Sequence, residues 1–352
     1  MKLSDVCTKG TSNIAQKDLD TRNGEYPIYG ASGFIKNVDF YHQENPYIAI
    51  VKDGAGVGRV MKLPAKSSVI GTMQYIIPNE GVSVEYLAYA LEHMNLSKYY
   101  LGAAIPHIYF KDYCNELLPN HTSKEQANIS HVLGLICDLI VLRKQQLSKL
   151  DELVKSRFIE LFGDPKANTK AWKMNTFADI CCVRQGLQIP ISKRLTFYED
   201  GCYEYITVAY LHGSKEREYI KNPKDTVICT EDDILMTRTG NTGMVITNVA
   251  GVFHNNFFLI DFDRTRYNKV FLAEYLNLEL IQAEIKRRAG TSTIPDLNHG
   301  EFYAIPIYEP PIELQEQFAT FVEQVDKSKS EIQKSLEKLE TLKKALMQKY
   351  FG

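Results

Sequence analysis

The sequence has little of what metal sites and disulfide frameworks are built from. Seven cysteines are scattered irregularly through 352 residues, and no two of them are spaced as Cys-x-x-Cys. Zinc knuckles need that spacing, and an odd, irregular set does not form the framework of a small secreted domain. We therefore expect most of these thiols to pack as small apolar residues in a reducing compartment.

An excess of positive charge and long apolar runs are also missing. The chain has 41 Lys and Arg residues against 43 Asp and Glu residues, for a net charge of -2. Neutralising phosphates supplies much of the affinity of nucleic-acid-binding proteins, so the charge alone does not suggest DNA binding. No apolar run reaches the roughly 18 residues of a membrane span, and Met1 to Asp5 lacks an apolar signal core. We expect a cytoplasmic protein without a membrane anchor.

Three motifs suggest enzyme chemistry, and each is incomplete. Gly54-Ala-Gly-Val-Gly58 is similar to a nucleotide or S-adenosylmethionine loop, but a strand-like segment ending at Pro64 follows instead of a helix. We predict a hairpin turn there. Asn45-Pro46-Tyr47 lacks the second proline of an adenine methyltransferase loop, and Asp232-Asp233 has no nearby Glu-x-Lys to complete a nuclease site. The histidines show no metal-ligand spacing, so the sequence predicts no catalytic, cofactor or metal site.

The chain does contain an internal repeat. Leu147-Ser-Lys-Leu-Asp-Glu-Leu-Val-Lys155 returns 189 positions later as Leu336-Glu-Lys-Leu-Glu-Thr-Leu-Lys-Lys344. Further matches occur in the same order, and they pair Leu3 to Cys7 with Phe177 to Cys181, Ala104 to Pro106 with Thr293 to Pro295, Glu125-Gln126 with Glu316-Gln317, and Phe162-Gly163 with Phe351-Gly352. Each Glu-Gln pair follows a proline, Pro119 or Pro310, by six residues. The shared order predicts a tandem duplication of large units and not a solenoid of short ones.

The second part of each copy is predicted to be one long helix. Apolar residues recur at spacings of three and four over residues 124–162 and 312–351, which is the pattern of an amphipathic helix. Each helix would be about 58 Å long at 1.5 Å per residue. We expect the two to pair as an intramolecular antiparallel coiled coil, and a homodimerising or partner-binding coiled coil is the alternative. The stretch from Glu-Gln to the shared Leu is two residues shorter in the second copy, so no common heptad phase is predicted.

The first part of each copy is predicted to be a mixed body of short strands followed by a helix. Strands are expected at residues 26–30, 47–51, 59–62 and 74–77 in the first copy, and at residues 233–237, 243–246 and 256–260 in the second. The following helices are expected at residues 84–101 and 269–288. The predicted fold class is α+β, with bodies at residues 1–119 and 166–311 and long helices at residues 120–165 and 312–352.

Side chains suited to base edges and phosphates lie near the glycine turns and helix ends of the bodies. Arginine and lysine contact guanine, whereas asparagine and glutamine contact adenine. The candidates are Lys52, Arg59, Lys62, Gln74 and Tyr75 in the first copy and Arg184, Gln185, Arg194, Arg238, Asn241 and Asn256 in the second. Lys286, Arg287 and Arg288 are candidate phosphate contacts, although basic residues at a helix C-terminus are also expected from the helix dipole alone.

These features together resemble one known family. Tyr26-Pro-Ile-Tyr-Gly-Ala-Ser-Gly33, the proline and Glu-Gln that open each long helix, and the two Phe-Gly endings resemble the specificity subunits of Type I restriction-modification systems. The resemblance covers essentially the whole chain, and it rests on the duplicated order of motifs that are individually modest.

The resemblance implies two target-recognition domains, at residues 1–119 and 166–311, each reading one half of a bipartite double-stranded DNA target. The helices would set the unread spacer and dock two modification subunits, which carry S-adenosylmethionine and methylate adenine. A restriction subunit that cleaves with ATP and Mg²⁺ would join them, and this chain would have no catalytic site or cofactor. The first body is short, so its half-target would be contacted less extensively. The alternatives are a protein-binding coiled-coil scaffold without DNA specificity and, third, a chain that methylates DNA by itself.

Overall fold

The computed structural model describes residues 1–100, 106–211, 213, 216–290 and 295–352. It divides into two compact units, each containing a body and parts of both long helices. Unit 1 consists of Met1–Gln145 and Gln333–Gly352, and unit 2 consists of Gln146–Ile332. Neither unit is therefore built only from one copy of the repeat.

The first copy has seven strands and four α-helices within its described residues. In chain order these are α1 Leu3–Val6, β1 Cys7–Thr11, β2 Tyr26–Gly30, β3 Gly33–Val38, β4 Tyr47–Val51, β5 Val60–Leu63, β6 Ser68–Val69, β7 Met73–Pro78, α2 Val84–His93, α3 Phe110–Tyr113 and α4 Ser123–Phe162. Short 3-10 helices are found at Gln16–Leu19 and Leu96–Tyr99.

The second copy has the same kinds of element with additional strands. In chain order these are β8 Lys173–Thr176, β9 Cys181–Gln185, β10 Cys202–Ile206, α5 Val208–Leu211, β11 Tyr219–Lys221, β12 Ile228–Cys229, β13 Ile234–Thr237, β14 Val245–Ile246, β15 Gly251–Phe253, β16 Phe257–Phe262, α6 Lys269–Asn277, α7 Glu279–Ala289, α8 His299–Tyr303, β17 Pro306–Glu309 and α9 Ile312–Phe351. Its 3-10 helices are Phe177–Asp179, Ile191–Lys193 and Asp225–Val227.

Each unit contains a four-stranded antiparallel sheet of the same topology. The strand order is β1-β7-β4-β5 in unit 1 and β9-β16-β13-β14 in unit 2. The smaller sheets are β3-β2-β6, β11-β10-β15-β12 and β8-β17. The matching strand orders confirm the duplication of an α+β unit.

The apolar strand at the centre of each sheet is covered on both faces. Ile48 and Ile50 of β4 pack with Leu87 and Leu91 of α2, whereas the alternate residues of β4 pack into a separate cluster. Successive side chains of a strand point to opposite faces, so a continuous apolar run fills two layers. In unit 2, Ile234 of β13 likewise faces the α6 side, and the next residue faces the other layer.

The two long helices align over their whole length without a gap. The two-residue difference predicted from the Glu-Gln pairs was therefore wrong. Both are 40 residues long and both end in Phe-Gly. Gln126 accepts a hydrogen bond from the Ser83 backbone N–H at 3.2 Å and donates to the His121 carbonyl at 3.0 Å. Gln315, not Gln317, makes the matching bonds in unit 2.

Gln315 is fully buried, and its side-chain amide makes three hydrogen bonds to the backbone. Its Oε1 accepts from the Asn268 N–H at 2.9 Å, and its Nε2 donates to the carbonyls of Arg266 at 3.0 Å and Pro310 at 2.8 Å. Ser83 and Asn268 are the N-caps of α2 and α6. Each glutamine therefore ties the start of a long helix to the start of the helix that follows the main sheet.

The long helices pair in antiparallel fashion within each unit, as predicted. In unit 1, Ile129 and Leu133 pack with Met347, and Lys144 forms an ion pair with Glu340 at 3.2 Å. The residue numbers rise along α4 while they fall along α9, so the helices run in opposite directions.

The same pairing in unit 2 is built largely from aromatic rings. Phe158 and Phe162 each lie edge-on to Phe318, with ring centroids 5.4 Å apart. Lys329 binds Asp151 at 2.6 Å nearer the middle of the helices. Burial of these rings contributes both apolar area and aromatic contact energy to the packing of the two helices.

Two of the predicted helices are shorter than expected. The helix predicted at residues 84–101 ends at His93, and Asn95 adopts a left-handed conformation with φ of 49° before a 3-10 turn; residue 101 lies outside the described residues. The helix predicted at residues 269–288 is two helices, because Leu278 is extended with ψ of 138°. A left-handed or extended residue breaks the i to i−4 bonding of a helix.

The helix α4 has an unusually apolar exposed face. By length and composition alone it could cross a membrane, and 22% of its most apolar stretch is buried. Leu135, Leu139, Val141 and Leu142 are 43–53% exposed. The core helix of a soluble protein can meet the same two criteria, so one such helix is weak evidence for a membrane span. The exposed leucines form an apolar patch on α4.

We predict that Gln315→Leu destabilises the protein and that Gln317→Leu does not. The buried change leaves one N–H and two carbonyls without their partner, and each buried unsatisfied group costs about 1–3 kcal/mol. We therefore expect a loss of at least about 3 kcal/mol in the free energy of unfolding, measured by urea denaturation. Gln317 is exposed and serves as the matched control. Equal stability of the two variants would contradict the assigned role of Gln315.

Candidate nucleic-acid interface

In both units the central strand of the main sheet leads into a basic residue and a glycine-containing turn. Lys52 follows β4, and Arg238 follows β13. The Lys52 N–H donates to the Thr72 carbonyl at 2.9 Å, and its own carbonyl accepts from Ile108 at 2.9 Å. The two cations thus have defined backbone positions that can be compared between units.

Arg238 has the same backbone partners in unit 2. Its N–H donates to the Asn256 carbonyl at 2.8 Å, and its carbonyl accepts from Leu297 at 2.9 Å. The residue after each cation, Asp53 or Thr239, forms a bridge with the segment that follows the repeated Ile-Pro. Lys52 and Arg238 are therefore structurally equivalent, and the residue after each repeated proline, His107 or Asp296, pairs with the residue after the cation.

Unit 1 has a concave surface beside its glycine turn. Nη1 of Arg59, an exposed residue, donates to the Ala31 carbonyl at 2.8 Å and so links the turn to the β2–β3 hairpin. The cavity between them is about 440 Å³ and is lined by residues 30–35 and 53–56 and by Arg59. Phe34 on this lining is 59% exposed and was not identified from the sequence. An exposed aromatic ring beside a cation suits contact with a base or sugar.

Two candidates of unit 1 are buried, which contradicts a base-reading role for them. Gln74 is 2% exposed and donates to the Tyr113 hydroxyl at 2.6 Å. Tyr75 is 1% exposed, and its hydroxyl accepts from the Val69 N–H at 3.1 Å. Burial raises the pKa of Tyr75. Both belong to a central strand covered on its two faces, so they satisfy interior polar groups and present no surface to DNA.

Lys62 is accessible but already paired. Its ammonium lies 3.3 Å from a carboxylate oxygen of Glu85, and both side chains are about half exposed. An exposed pair of this kind contributes little to stability, so it does not prevent Lys62 from contacting a phosphate.

Four candidates of unit 2 converge on one end of its main sheet. Gln185 lies opposite Phe258, and Arg238 follows the strand residue opposite Phe257. Asn256 directly precedes β16, and Asn241 lies in the turn after Arg238. Gln185 and Asn241 are exposed and Asn256 is half-buried, so this end of the sheet presents a polar edge.

Arg184 does not join this edge. Its Nη1 donates to the Thr226 carbonyl at 3.4 Å, and its Nε lies 3.8 Å from Asp261. Neighbouring residues of a strand point to opposite faces, so Arg184 and Gln185 diverge.

Arg238 is fixed by an acidic residue that sequence reasoning missed. Its Nε donates to Oδ1 of Asp296 at 3.0 Å and its Nη2 donates to Oδ2 at 2.8 Å. The Thr242 hydroxyl lies 3.1 Å from the carbonyls of both Arg238 and Pro295, which joins the turn to the same segment. Asp296 directly follows the repeated Ile-Pro, and that position was its only signal in the sequence.

The surroundings of this pair are polar and partly buried. His299 begins α8, and burial followed by the charge of Arg238 lowers its pKa. Its Nε2 and the Thr239 hydroxyl are buried atoms with no hydrogen-bond partner among the residues that the structure describes. Polar atoms of this kind are usually satisfied by ordered water or a ligand.

Arg194 has a structural position instead of an open one. Its Nε and Nη2 donate to the Ile189 carbonyl at 2.9 and 2.7 Å, and its Nη1 donates to Glu218 at 3.0 Å. The guanidinium also lies over the Tyr205 ring, 5.0 Å from its centroid. All three nitrogens are engaged, so the structure is against direct base reading by Arg194.

The three basic residues at the end of α7 differ in whether they remain available to DNA. Arg288 donates to Glu284 at 2.7 Å and to Glu301 at 3.2 Å, so two carboxylates from different helices hold its guanidinium. Arg287 also binds Glu284 but remains 66% exposed, and Lys286 is exposed. Lys286 and Arg287 therefore remain available to a phosphate, whereas Arg288 is an internal link.

In the described ranges, no three His, Cys, Asp or Glu side chains are grouped as metal ligands. All seven cysteines are free thiols, and burial raises the pKa of Cys7 and Cys181 to about 12. Such thiols are poor nucleophiles, since the thiolate is the reactive form.

Two curated proteins of Methanocaldococcus jannaschii are similar in sequence. The chain is 28% identical to the Type I restriction enzyme MjaVIII specificity subunit over 155 residues, which cover 43% of this chain and 36% of that protein. It is 24% identical to the MjaIX specificity subunit over 306 residues, which cover 78% of this chain and 69% of that protein. The alignment with the first of these relatives thus spans about a third of its length.

Solved structures share the fold at low sequence identity. The S subunit of a Type I restriction-modification system from M. genitalium matches with a TM-score of 0.68 and 16% identity, over 100% of this chain and 95% of that one. A chain from a structural study of complex assembly and conformational transition of the type I R-M system matches with a TM-score of 0.57 and 15% identity, over 99% and 96% of the two chains.

A protein-family model matches both copies of the repeat. It is described as the Type I restriction modification DNA specificity domain, and it matches residues 1–152 and 169–344. These two matches cover nearly the whole chain and follow the duplication seen in its sheets and helices. The chain therefore belongs to the family of Type I restriction-modification DNA specificity domains.

Proposed function

We propose that this chain is the sequence-reading subunit of a Type I restriction-modification complex and that each body reads one half of a bipartite duplex target. The observation that carries the proposal is the repeated sheet end, where Lys52 and Arg238 have matching backbone partners beside a glycine-containing turn. A protein-binding scaffold without DNA specificity is not favoured, because both copies match a DNA specificity family.

The distribution of charge supports reading of DNA in company with other subunits. The net charge is -2, and several of the candidate arginines are already bound to carboxylates. Phosphate neutralisation by this chain alone would therefore be limited. Two modification subunits would supply the remaining phosphate contacts, and the assembled complex would work in the cytoplasm.

We further propose that all catalysis belongs to partner subunits. The modification subunits would bind S-adenosylmethionine and methylate adenine, and a restriction subunit would cleave with ATP and Mg²⁺. The residues of this chain would position and orient the duplex. The incomplete Gly54 to Gly58 motif supports this division, because it folds as a turn between β4 and β5.

The apolar patch on α4 is the surface that we assign to a modification subunit. Leu135, Leu139 and Leu142 lie on successive turns and are 43–53% exposed. Exposed apolar patches of this kind mark protein interfaces. The equivalent positions of α9 are Gln324, Ser328 and Glu331, so the two helices offer chemically different surfaces.

Selection of duplexes from a random pool tests the proposed function. The chain, with its modification subunits, is expected to enrich two fixed half-sites separated by a spacer of constant length. Inserting one heptad into each long helix, after Gln145 and after Ile332, keeps the apolar stripe in phase. Seven residues add about 10 Å, so the spacer should lengthen by roughly three base pairs while the half-sites stay the same. Absence of any enrichment would favour the scaffold, and altered half-sites would contradict the spacer role.

Charged substitutions on the α4 patch test the docking surface. We expect Leu139→Asp with Leu142→Asp to weaken binding of a modification subunit at least tenfold, because altering a residue at the centre of an interface costs about 2 kcal/mol or more, and about 1.4 kcal/mol is tenfold. Binding would be measured by titration and sedimentation. The exposed pair Ser328→Asp with Glu331→Asp on α9 is the matched control. Unchanged assembly of the α4 variant would place the partner elsewhere.

A further inference from the structure

We propose that Arg238, oriented by Asp296, reads one guanine in the half-target of the second domain. The assignment rests on the proposed function, and it deepens that function by naming the base, the reading residue and a positioning residue.

The first argument is that Arg238 is held in place before DNA arrives. Its backbone N–H is bonded to Asn256 and its carbonyl to Leu297, at 2.8 and 2.9 Å. Its side chain is bonded at two atoms to Asp296 and is 18% exposed. A guanidinium that is already ordered loses little conformational entropy when it binds a ligand.

The second argument concerns the donors that remain. A guanidinium is planar and carries five N–H groups. Asp296 takes the Nε hydrogen and one Nη2 hydrogen. The other Nη2 hydrogen and one Nη1 hydrogen form a second fork directed away from the carboxylate. Within the described part of the chain, Nη1 has no hydrogen-bond partner.

This second fork fits guanine and disfavours adenine. Guanine presents two acceptors, O6 and N7, to the major groove, whereas adenine presents an acceptor at N7 and a donor at N6. The donor of adenine would face a donor of Arg238, so the mismatch would leave both unsatisfied.

Arg287 has the same fork onto a carboxylate, Glu284, at 2.8 and 2.7 Å, but it lies in the last turn of α7 and does not follow a strand of the main sheet. In Arg266 and Arg194 the Nη1 nitrogen is engaged. Arg266 also forks onto a carboxylate, Glu309, at 2.9 and 2.7 Å, but its Nη1 donates to the Asp179 carbonyl. Arg194 has all three nitrogens engaged. Arg238 thus combines a carboxylate buttress, a fork without a hydrogen-bond partner among the described residues, and a place at the polar end of the sheet.

Unit 1 does not repeat this device. Its equivalent residue, Lys52, is an ammonium 3.9 Å from Asp53. An ammonium is a point charge without a planar fork, so it selects a base less strictly. The guanine assignment therefore applies to the second half-target.

Asp296 also reduces non-specific attraction. Its negative charge lies beside Arg238 and partly offsets the pull of the guanidinium on any phosphate. Asp296→Asn would remove that charge and one of the two acceptors, so it would weaken binding to the cognate duplex relative to non-cognate duplexes.

The test uses the assembled complex and its selected target, with each guanine of the second half-site replaced in turn by 7-deazaguanine, which lacks the N7 acceptor. In the unaltered complex, replacement at one position should weaken binding roughly 10- to 100-fold. In Arg238→Ala the same replacement should have no further effect. The control is Arg264→Ala, which lies at the opposite end of β13 bound to Asp233 at 2.9 Å and should keep the full sensitivity.

A second variant covers the case in which Arg238→Ala does not fold. Asp296→Asn keeps the arginine and should lower the ratio of cognate to non-cognate affinity by at least fivefold. Undiminished sensitivity to 7-deazaguanine in Arg238→Ala, equal loss of affinity for all sequences, or an unchanged affinity ratio in Asp296→Asn would overturn the assignment. A target that is enriched but has no guanine in this half would also overturn it while leaving the proposed function intact. No enrichment at all would overturn the proposed function and this assignment with it.

Discussion

Each unit depends on burying the apolar stripe of one long helix against the stripe of the other. A 40-residue helix with one apolar face exposes that face to water when it is alone, and most helical stability in proteins comes from packing of that face. Unit 1 needs residues 333–352 from the end of the chain, and unit 2 needs residues 146–162 from the first copy. The two copies therefore exchange helix segments, and each body packs with parts of the long helices of both copies.

The buried glutamines connect this helix pairing to the sheet ends that carry Lys52 and Arg238. Gln126 and Gln315 bond the backbone at the starts of α2 and α6, which follow the main sheets. Those sheets in turn fix the backbone of Lys52 and Arg238. The same scaffold thus presents a cation twice, and the differences between the copies lie in side chains. One copy offers a lysine and the other a buttressed arginine, just as α4 offers leucines where α9 offers polar residues.

Much of the architecture could be predicted from the sequence, because the spacing of apolar residues and the internal repeat determine it. The long helices follow from local periodicity, and their antiparallel pairing follows from the presence of two such helices in one chain. The repeat predicted the duplicated order of strands and then a helix, but strands such as β1, β9 and β10 were not predicted. The alignment of Glu125-Gln126 with Glu316-Gln317 was wrong by two residues. It matched identical residue types, whereas the structurally equivalent residues are the ones that make the same hydrogen bonds. The true partner, Gln315, is recognised only by its bonds to Asn268 and Pro310.

The candidate site was less predictable, since it depends on tertiary pairing. No local sequence pattern shows that Gln74 lies on a strand covered on both faces, or that Arg194 donates to the Ile189 carbonyl. Asp296 is far from Arg238 in sequence and meets it only through the segment after Ile-Pro. The helix break at Leu278, between α6 and α7, has no proline or glycine that would predict it.

Photo-crosslinking from the two turns tests the central claim, that one chain carries two equivalent readers, most directly. Ala55 and Asn241 are exposed residues in the turns after β4 and β13, and each can be replaced singly by a photoreactive phenylalanine analogue in the assembled complex on its selected duplex. The account predicts that position 55 crosslinks to bases of one half-site and position 241 to bases of the other. Crosslinks from both positions to the same half-site, or to the spacer, would contradict it.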